Sequence, residues 1–304
     1  MNHKKLSKTK IVLINLLIIF AISACGGGRK NEPIKVPDIP EKVIVNPDFC
    51  GKSAMEENQS CIVIDGRATI TYANPNESQY AGIAIFLHGA PGKPVKVSNI
   101  FGSKMIADKY NLVSMAPEGN NSPYEWNSSN NNIDSTPDIN YLIDVINDLQ
   151  TQHSFSDDKI YVFGYSAGGF MAYKLACQIP ARFTAIITLA GQFRGDFDAC
   201  STSTPIAVHH LHSLTDREVP FDGRVNGSIA SVPDTIAFWQ IKNGCSIEVE
   251  ETIQGGVTAT SSQTRTEKYT GCVSSVALSH LDSVAHEDDY VAESLLATYE
   301  YLLK

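Results

Sequence analysis

The chain has 304 residues, 43% of them hydrophobic, which is enough for a substantial core in one folded domain. Its formal net charge is −9 at pH 7, so its surface repels phosphate backbones. Binding to nucleic acid is therefore not expected.

The first 24 residues are predicted to form a signal peptide. Lys4, Lys5, Lys8 and Lys10 precede an apolar run over residues 11–22, which is too short to cross a bilayer. The following tetrad, Ile-Ser-Ala-Cys, resembles a bacterial lipobox and implies cleavage before its cysteine and attachment of lipid to the thiol. An ordinary secretory signal that is cut nearby is the alternative. Removal of this leader takes away four lysines and no acidic residue, which changes the net charge from −9 to −13.

The number and positions of the cysteines are typical of an exported protein. Cys25 is the predicted lipid attachment site, and the Gly26 that follows it, in place of an aspartate, resembles lipoproteins of the Gram-negative outer membrane. We therefore expect an extracytoplasmic protein that is held at the membrane by its N-terminal lipid. The other six cysteines are an even number in an oxidising compartment, which predicts disulfides, and no C-x-x-C pair suggests a zinc ribbon. Their grouping in the sequence favours the pairs Cys50–Cys61, Cys177–Cys200 and Cys245–Cys272.

The folded domain is predicted over residues 48–304. Glycine and proline punctuate residues 25–47, which is typical of a flexible tether. Two β-rich runs over residues 61–72, joined by an Asp-Gly dipeptide, predict a hairpin at the antiparallel edge of a larger sheet. The continuous apolar run over residues 82–87 is typical of a strand that is buried on both faces.

Strands and helices alternate along the rest of the chain. Strands are predicted over residues 112–115, 160–163, 183–189, 206–212, 266–269 and 276–281, and helices over residues 100–109, 138–149, 170–177, 233–243 and 291–303. This alternation predicts an α/β fold with a mostly parallel central sheet and helices on both faces. The loop over residues 120–132 is rich in Asn and Ser, and its role is not indicated by its composition.

A nucleophile elbow is predicted between the strand over residues 160–163 and the helix that follows. The segment Gly164-Tyr-Ser-Ala-Gly168 has the G-x-S-x-G pattern in the strand–turn–helix context that this motif requires. The serine of such an elbow occupies a strained backbone position, and the glycines avoid collisions with strand and helix. Ser166 is therefore the predicted nucleophile.

A serine hydroxyl is a poor nucleophile at neutral pH, so it needs a histidine base and a carboxylate that orients this base. In an α/β-hydrolase arrangement, first the acid and then the histidine follow the serine, each in a loop after a strand. Asp216 lies in the loop after the strand over residues 206–212 and is the favoured acid. Glu218, Asp222 and Asp234 are the alternatives.

The favoured base is His286. It follows the strand over residues 276–281 by a short loop and precedes the last helix, whereas the alternative, His280, lies within that strand. His209, His210 and His212 suggest a metal site, but neighbouring strand residues face opposite ways, and no nearby cysteine or carboxylate completes a set of ligands. No metal and no other cofactor are expected.

Hydrolysis also requires hydrogen-bond donors for the developing oxyanion. One is predicted to be the N–H of Ala167, directly after the nucleophile. The other should come from the loop after the strand over residues 82–87, where Pro91 has no N–H and Ala90 is the best candidate.

Four motifs, taken together, resemble the polyhydroxybutyrate depolymerase and feruloyl esterase family of secreted esterases over residues 82–304. They are Phe86-Leu-His-Gly89, Gly164-Tyr-Ser-Ala-Gly-Gly169, Thr215-Asp-Arg-Glu-Val-Pro220 and the late His286. The resemblance implies an α/β-hydrolase fold with Ser166 as nucleophile, Asp216 as acid and His286 as base. His88, Tyr165 and Trp126 are candidates for the substrate pocket, although Trp126 is equally a candidate packing residue.

Three departures from the family pattern, one of them the unusual Pro91 loop, concern the substrate more than the mechanism. Ser213 replaces the usual glycine after His212, and three acidic residues over positions 287–289 replace the usual aromatic after the catalytic histidine. The sequence predicts a serine esterase that acts on carboxylic esters, such as feruloyl or acetyl esters of polysaccharides or hydroxyalkanoate esters. A prolyl-oligopeptidase-type serine peptidase is the alternative enzyme, and a non-catalytic binding lipoprotein on a hydrolase scaffold is the alternative from another class.

Overall fold

The computed structural model describes residues 48–120, 125–131, 136–155 and 159–304. The predicted signal peptide, the lipidation of Cys25 and the tether over residues 25–47 lie outside these described residues, as do parts of the loop over residues 120–132. None of the helices in the described ranges has the length and apolar character needed to span a bilayer.

Strands and helices alternate along the described chain. The strands are β1 (Phe49–Cys50), β2 (Ser53–Ala54), β3 (Gln59–Ile64), β4 (Arg67–Tyr72), β5 (Gly82–Leu87), β6 (Leu112–Pro117), β7 (Ile160–Tyr165), β8 (Ala185–Leu189), β9 (Ala207–Ser213), β10 (Val249–Gly255), β11 (Gln263–Tyr269) and β12 (Val276–Leu281). The α-helices are α1 (Pro94–Phe101), α2 (Ser103–Tyr110), α3 (Pro137–His153), α4 (Ala167–Gln178), α5 (Val232–Lys242) and α6 (Ala292–Tyr299). Short 3₁₀ turns occur at Pro180–Arg182, Phe197–Ala199 and Glu300–Leu302.

The central sheet has the strand order β10–β11–β12–β9–β8–β7–β5–β6–β4–β3. The six strands from β12 to β6 in this order are parallel, and β5, β6, β7 and β8 are buried along their whole length. The β3–β4 hairpin turns at Asp65 and Gly66, which both have positive φ, and forms the predicted antiparallel edge. The predicted fold class is thus confirmed.

Helices cover both faces of the sheet. One face buries side chains of α3, α4 and α5, among them Leu142, Met171 and Trp239. The other face buries side chains of α1, α2 and α6, among them Phe101 and Tyr299. Burial of strands on both faces explains their nearly continuous apolar sequences.

One predicted helix was wrong in detail, and one strand was not predicted. The helix predicted over residues 100–109 is two helices, which Gly102 separates with a φ of 68°. The strand β10 was not predicted, and it pairs antiparallel with β11 at the second edge of the sheet.

Disulfide bonds join the three predicted cysteine pairs. Cys50–Cys61 ties β1 to β3, Cys177–Cys200 ties α4 to the segment after β8, and Cys245–Cys272 ties the end of α5 to the turn after β11. The pairs are 11, 23 and 27 residues apart, so each bond closes a local loop.

Candidate active site

The turn between β7 and α4 has the strained geometry of an elbow. Ser166 has φ 53° and ψ −118°, and its N–H donates to the carbonyl of Leu189 at 2.9 Å. A Cβ at Gly168 would lie 2.0 Å from the carbonyl oxygen of Leu87, and one at Gly164 would lie 2.4 Å from that of Gly168. The glycines are therefore required because strand, turn and helix backbones approach one another closely.

Ser166, His286 and Asp216 lie in one line of hydrogen bonds at the carboxyl ends of parallel strands. The Nε2 atom of His286 is 2.9 Å from the Oγ of Ser166, and its Nδ1 is 2.7 Å from the Oδ2 of Asp216. All three side chains are buried, and Ser166 retains 8% exposure. Since a carboxylate only accepts, Nδ1 carries the proton and Nε2 accepts from the serine hydroxyl.

Two of the alternative acids, Asp222 and Asp234, and the alternative base, His280, face solvent or have other partners. Asp234 accepts from the hydroxyl of Ser231 at the start of α5, and Asp222 is exposed. His280 lies 3.5 Å from Glu267 on the neighbouring strand β11. These positions indicate solvated charge, helix capping and strand pairing for the three side chains.

The carboxylate of Asp216 is held on both of its oxygens. Its Oδ1 accepts the backbone N–H groups of Glu218 and Val219, each at 2.9 Å, which leaves Oδ2 for His286. His212 donates from Nε2 to the carbonyl of Val219 at 2.8 Å, which ties the strand β9 to the loop of the acid. The orientation of the acid therefore depends on the backbone of its own loop.

The loop of the acid is fastened to the loop of the histidine. Ser213 accepts the N–H of Val284 at 3.2 Å, and the hydroxyl of Thr215 donates to the carbonyl of Val284 at 3.1 Å. The serine at position 213, which departs from the family pattern, thus connects the two loops. No feature of the sequence indicated this contact, because its partners are 71 residues apart.

Tyr165 and Trp126, two of the candidates for the substrate pocket, are buried side chains. Tyr165 is 2% exposed, and Trp126 is 3% exposed. The hydroxyl of Tyr165 donates to the carbonyl of His286 at 2.7 Å, and burial raises the pKa of this phenol. The indole N–H of Trp126 donates to the carbonyl of His88 at 2.8 Å. Both side chains therefore support loops of the site.

His88 is likewise buried, and it shapes the loop that carries Ala90. Its Nε2 accepts the N–H of Gly119 at 2.9 Å, so its Nδ1 donates to the carbonyl of Gly89 at 2.7 Å. Burial lowers the pKa of His88, which keeps the imidazole neutral. This side chain holds the turn, although its edge also borders a polar cavity.

The turn passes close to the serine. A Cβ at Gly89 would lie 3.2 Å from the Cβ of Ser166. Among the hydrogen bonds of the described residues, none has the N–H of Ala90 or of Ala167 as its donor. Within the described residues, neither N–H group therefore has an internal acceptor.

The strand β9 carries three buried histidines that bond to protein groups. His209 pairs through Nε2 with the hydroxyl of Ser279 at 2.8 Å, and His210 pairs through Nε2 with the Nδ1 of His212 at 3.0 Å. Burial lowers the pKa of His209 to about 3 and that of His212 to about 4, and it also lowers the pKa of His210. The described ranges contain no group of three or more His, Cys, Asp or Glu side chains that could hold a metal ion.

A contact across the site was missed by sequence reasoning. Lys96 of α1 forms an ion pair with Glu287, the residue after His286. Glu287 also lies 3.1 Å from the hydroxyl of Tyr165. The acidic segment that departs from the family pattern therefore joins the histidine loop to the helix after the Ala90 loop.

The fold and the hydrogen-bonded serine, histidine and aspartate define an α/β-hydrolase-fold protein with the geometry of a serine hydrolase. Residues 116–225, less than half of the chain, match the prolyl oligopeptidase family. In structure, the chain is similar to an acetyl xylan esterase from Aspergillus awamori, with a TM-score of 0.56, 13% identity, and coverage of 77% of this chain and 94% of that one. This likeness shows the fold.

Curated relatives are named as esterases or depolymerases. A putative esterase NocK of Nocardia uniformis subsp. tsuyamanensis is 25% identical over 68% of this chain and 64% of its own length. A probable feruloyl esterase C of Aspergillus niger is 25% identical over 59% of this chain and 66% of its own. A poly(3-hydroxybutyrate) depolymerase of Ralstonia pickettii is 31% identical over 36% of this chain and 25% of its own length. The matched part of the chain thus spans less than two thirds of the length of each of these relatives. Their names confirm the predicted resemblance to feruloyl esterases and polyhydroxybutyrate depolymerases.

Proposed function

We propose that this protein is an extracytoplasmic serine esterase that hydrolyses carboxylic esters through an acyl-enzyme. The observation that carries the proposal is the line of hydrogen bonds from Ser166 through His286 to Asp216. Its lengths, 2.9 and 2.7 Å, are those expected of a nucleophile, its base and an orienting acid. The reaction needs no cofactor.

The proposed reaction begins when the Oγ of Ser166 attacks the ester carbonyl and the Nε2 of His286 takes its proton. Asp216 stabilises the imidazolium that forms, and the N–H groups of Ala90 and Ala167 bind the oxyanion. The tetrahedral intermediate then expels the alcohol, which receives the proton from His286. Water attacks the acyl-enzyme by the same route, and the carboxylic acid leaves.

The proposed substrates are feruloyl or acetyl esters of polysaccharides, or hydroxyalkanoate esters. This choice rests on relatives that are named feruloyl esterase, acetylxylan esterase and poly(3-hydroxybutyrate) depolymerase. A polar cavity of about 360 Å³ lies beside the Ala90 loop, although neither Ser166 nor His286 lines it. Its lining includes Lys52, Arg67, His88, Pro91, Glu118 and Glu125.

The decisive experiment compares purified wild-type protein with Ser166→Ala on p-nitrophenyl acetate. Wild type should hydrolyse this ester faster than the variant by a factor of about 10⁴ or more, because the nucleophile is lost. The control His280→Gln should retain normal turnover. Equal rates for wild type and Ser166→Ala would refute the esterase and favour a non-catalytic binding lipoprotein. Methyl ferulate, acetylated xylan and hydroxybutyrate oligomers then identify the preferred acyl and alcohol groups.

A serine peptidase is the second candidate, because residues 116–225 match the prolyl oligopeptidase family. The same three side chains would serve this reaction, with an amide in place of the ester. Hydrolysis of proline-containing peptide p-nitroanilides at rates above those for esters would favour it.

The proposed location rests on the sequence that leads to Cys25. The lipid on this cysteine would tether the domain to a membrane. Gly26, which follows the cysteine, favours the outer membrane of a Gram-negative cell. Cys25→Ser should release the protein from the membrane fraction and abolish its labelling with a radioactive fatty acid. Labelling that survives the substitution would contradict the assignment of this cysteine.

A further inference from the structure

Tyr165 connects the proposed nucleophile to the proposed base through its own side chain. It directly precedes Ser166 at the end of β7, and its hydroxyl donates to the backbone carbonyl of His286 at 2.7 Å. Its ring stacks on the imidazole of His286, with centroids 5.3 Å apart and an interplanar angle of 29°. One side chain thus contacts both the backbone and the ring of the residue that must face the serine.

The histidine loop is held at two separate places. Upstream of His286, the N–H and the carbonyl of Val284 bond to the acid loop. At His286 itself, the bond from Tyr165 is short, whereas the hydroxyl of Tyr290 reaches the same carbonyl at 3.3 Å. Since hydrogen bonds weaken with length, Tyr165 is the stronger support at this point.

We propose that Tyr165 is a positioning residue that sets the distance between His286 and Ser166; the proposal rests on the proposed function. Tyr165 is the last residue of β7 and Ser166 follows it directly, so the side chain that holds His286 and the nucleophile belong to adjacent residues. A displacement of about 1 Å at such a site can cost roughly 10²-fold in rate. The buried phenol thereby acts on turnover through His286 and not through contact with substrate.

The ion pair of Lys96 and Glu287 extends this support to the Ala90 loop. The ammonium group of Lys96 lies 5.6 Å from the centroid of the Tyr165 ring, and Glu287 lies beside the phenol hydroxyl. Both charged side chains are about half exposed, so the pair is screened by salt and contributes less than the buried bond. We therefore assign the main effect to the hydroxyl of Tyr165.

The test compares Tyr165→Phe with the matched control Tyr161→Phe. Tyr161 lies on the same strand and the same face of the sheet, is 1% exposed, and is not a member of the site. Tyr165→Phe removes only the hydroxyl, so kcat on p-nitrophenyl acetate should fall about tenfold while KM stays within about twofold of wild type. Tyr161→Phe should leave both parameters unchanged, and a wild-type kcat in Tyr165→Phe would overturn the proposal.

A second measurement does not depend on turnover. The proton on the Nδ1 of His286, bonded to Asp216, should exchange with solvent about tenfold faster in Tyr165→Phe than in wild type, because the loop that carries it is less firmly held. Proton NMR of wild type, Tyr165→Phe and Tyr161→Phe measures this rate. Exchange that is equal in all three proteins overturns the positioning role, even if no ester proves to be a substrate. Inactive wild type with faster exchange in Tyr165→Phe would refute the esterase and leave the positioning role supported.

Discussion

Replacement of Asp216 by asparagine is a sharp test of the proposed acid, because the structure dictates how the new amide must lie. The Oδ1 of Asp216 accepts two backbone N–H groups, from Glu218 and Val219. The carbonyl oxygen of an asparagine has to take this place, since an NH₂ group would oppose two donors. The NH₂ group then faces the Nδ1 of His286, 2.7 Å from the original oxygen.

This orientation reverses the tautomer of the base. With a donor opposite, the Nδ1 of His286 must accept, so its proton moves to Nε2. An Nε2 that carries a proton cannot take one from Ser166. We expect kcat to fall about 10⁴-fold, which corresponds to about 5 kcal/mol in activation free energy. The melting temperature should change little, because both backbone donors keep their acceptor.

The assay is steady-state hydrolysis of p-nitrophenyl acetate, with thermal unfolding measured on the same preparations. Asp222→Asn is the matched control, because Asp222 lies in the same loop region, is exposed, and should tolerate the change. A loss of less than tenfold in Asp216→Asn, with an intact fold, would refute the proposed orienting role.

Three further predictions concern stability. Replacement of Cys177 and Cys200 by alanine opens a loop of 23 residues and should lower the free energy of unfolding by about 3 kcal/mol in a urea titration; no loss would contradict the entropic reasoning. Gly168→Ala should cost about 3 kcal/mol or more, because its Cβ would collide with a backbone carbonyl at 2.0 Å, whereas Gly255→Ala, with nothing within 4 Å, should stay within about 0.5 kcal/mol. Burial lowers the pKa of His209 to about 3, so the unfolded chain binds more protons below about pH 6.5; the stability from this neutral imidazole is full above that pH and falls by about 2 kcal/mol between pH 6.5 and pH 5. Urea unfolding at pH 6.5 and at pH 5 measures this loss of stability. The free energy of unfolding of His209→Gln should depend less on pH than that of wild type.

The order of the site residues could be predicted because the strands before them are short, largely apolar runs that alternate with helices. Strand β7 is nearly all apolar, whereas β9 and β12 also carry His and Ser, and the carboxyl ends of all three strands meet at one edge of the sheet. The loops after them therefore had to come together, whatever the details of packing. The strand β10 was missed because nearly all of its residues are exposed, so no apolar alternation marks it.

Side-chain direction could not be predicted for the aromatic residues of the site. Tyr165 and Trp126 have partners that are 121 and 38 positions away, at backbone carbonyls of other loops. A motif places such residues near the serine, but long-range packing decides whether they point to substrate or into the protein. Gly102 shows a similar limit, because it separates two helices where the sequence pattern predicts one.

The line of hydrogen bonds at Ser166 also has a consequence for how the protein folds. His286 meets Ser166 across 120 residues and Asp216 across 70, so each contact closes a long segment of chain. The loop-closure entropy of such contacts is lost before the contact energy is gained, and proteins rich in them fold slowly. The adjacent parallel strands β7, β8, β9 and β12 must all be in register before the three side chains align. Recovery of hydrolysis after dilution from denaturant would therefore report the last step of refolding, later than the secondary structure.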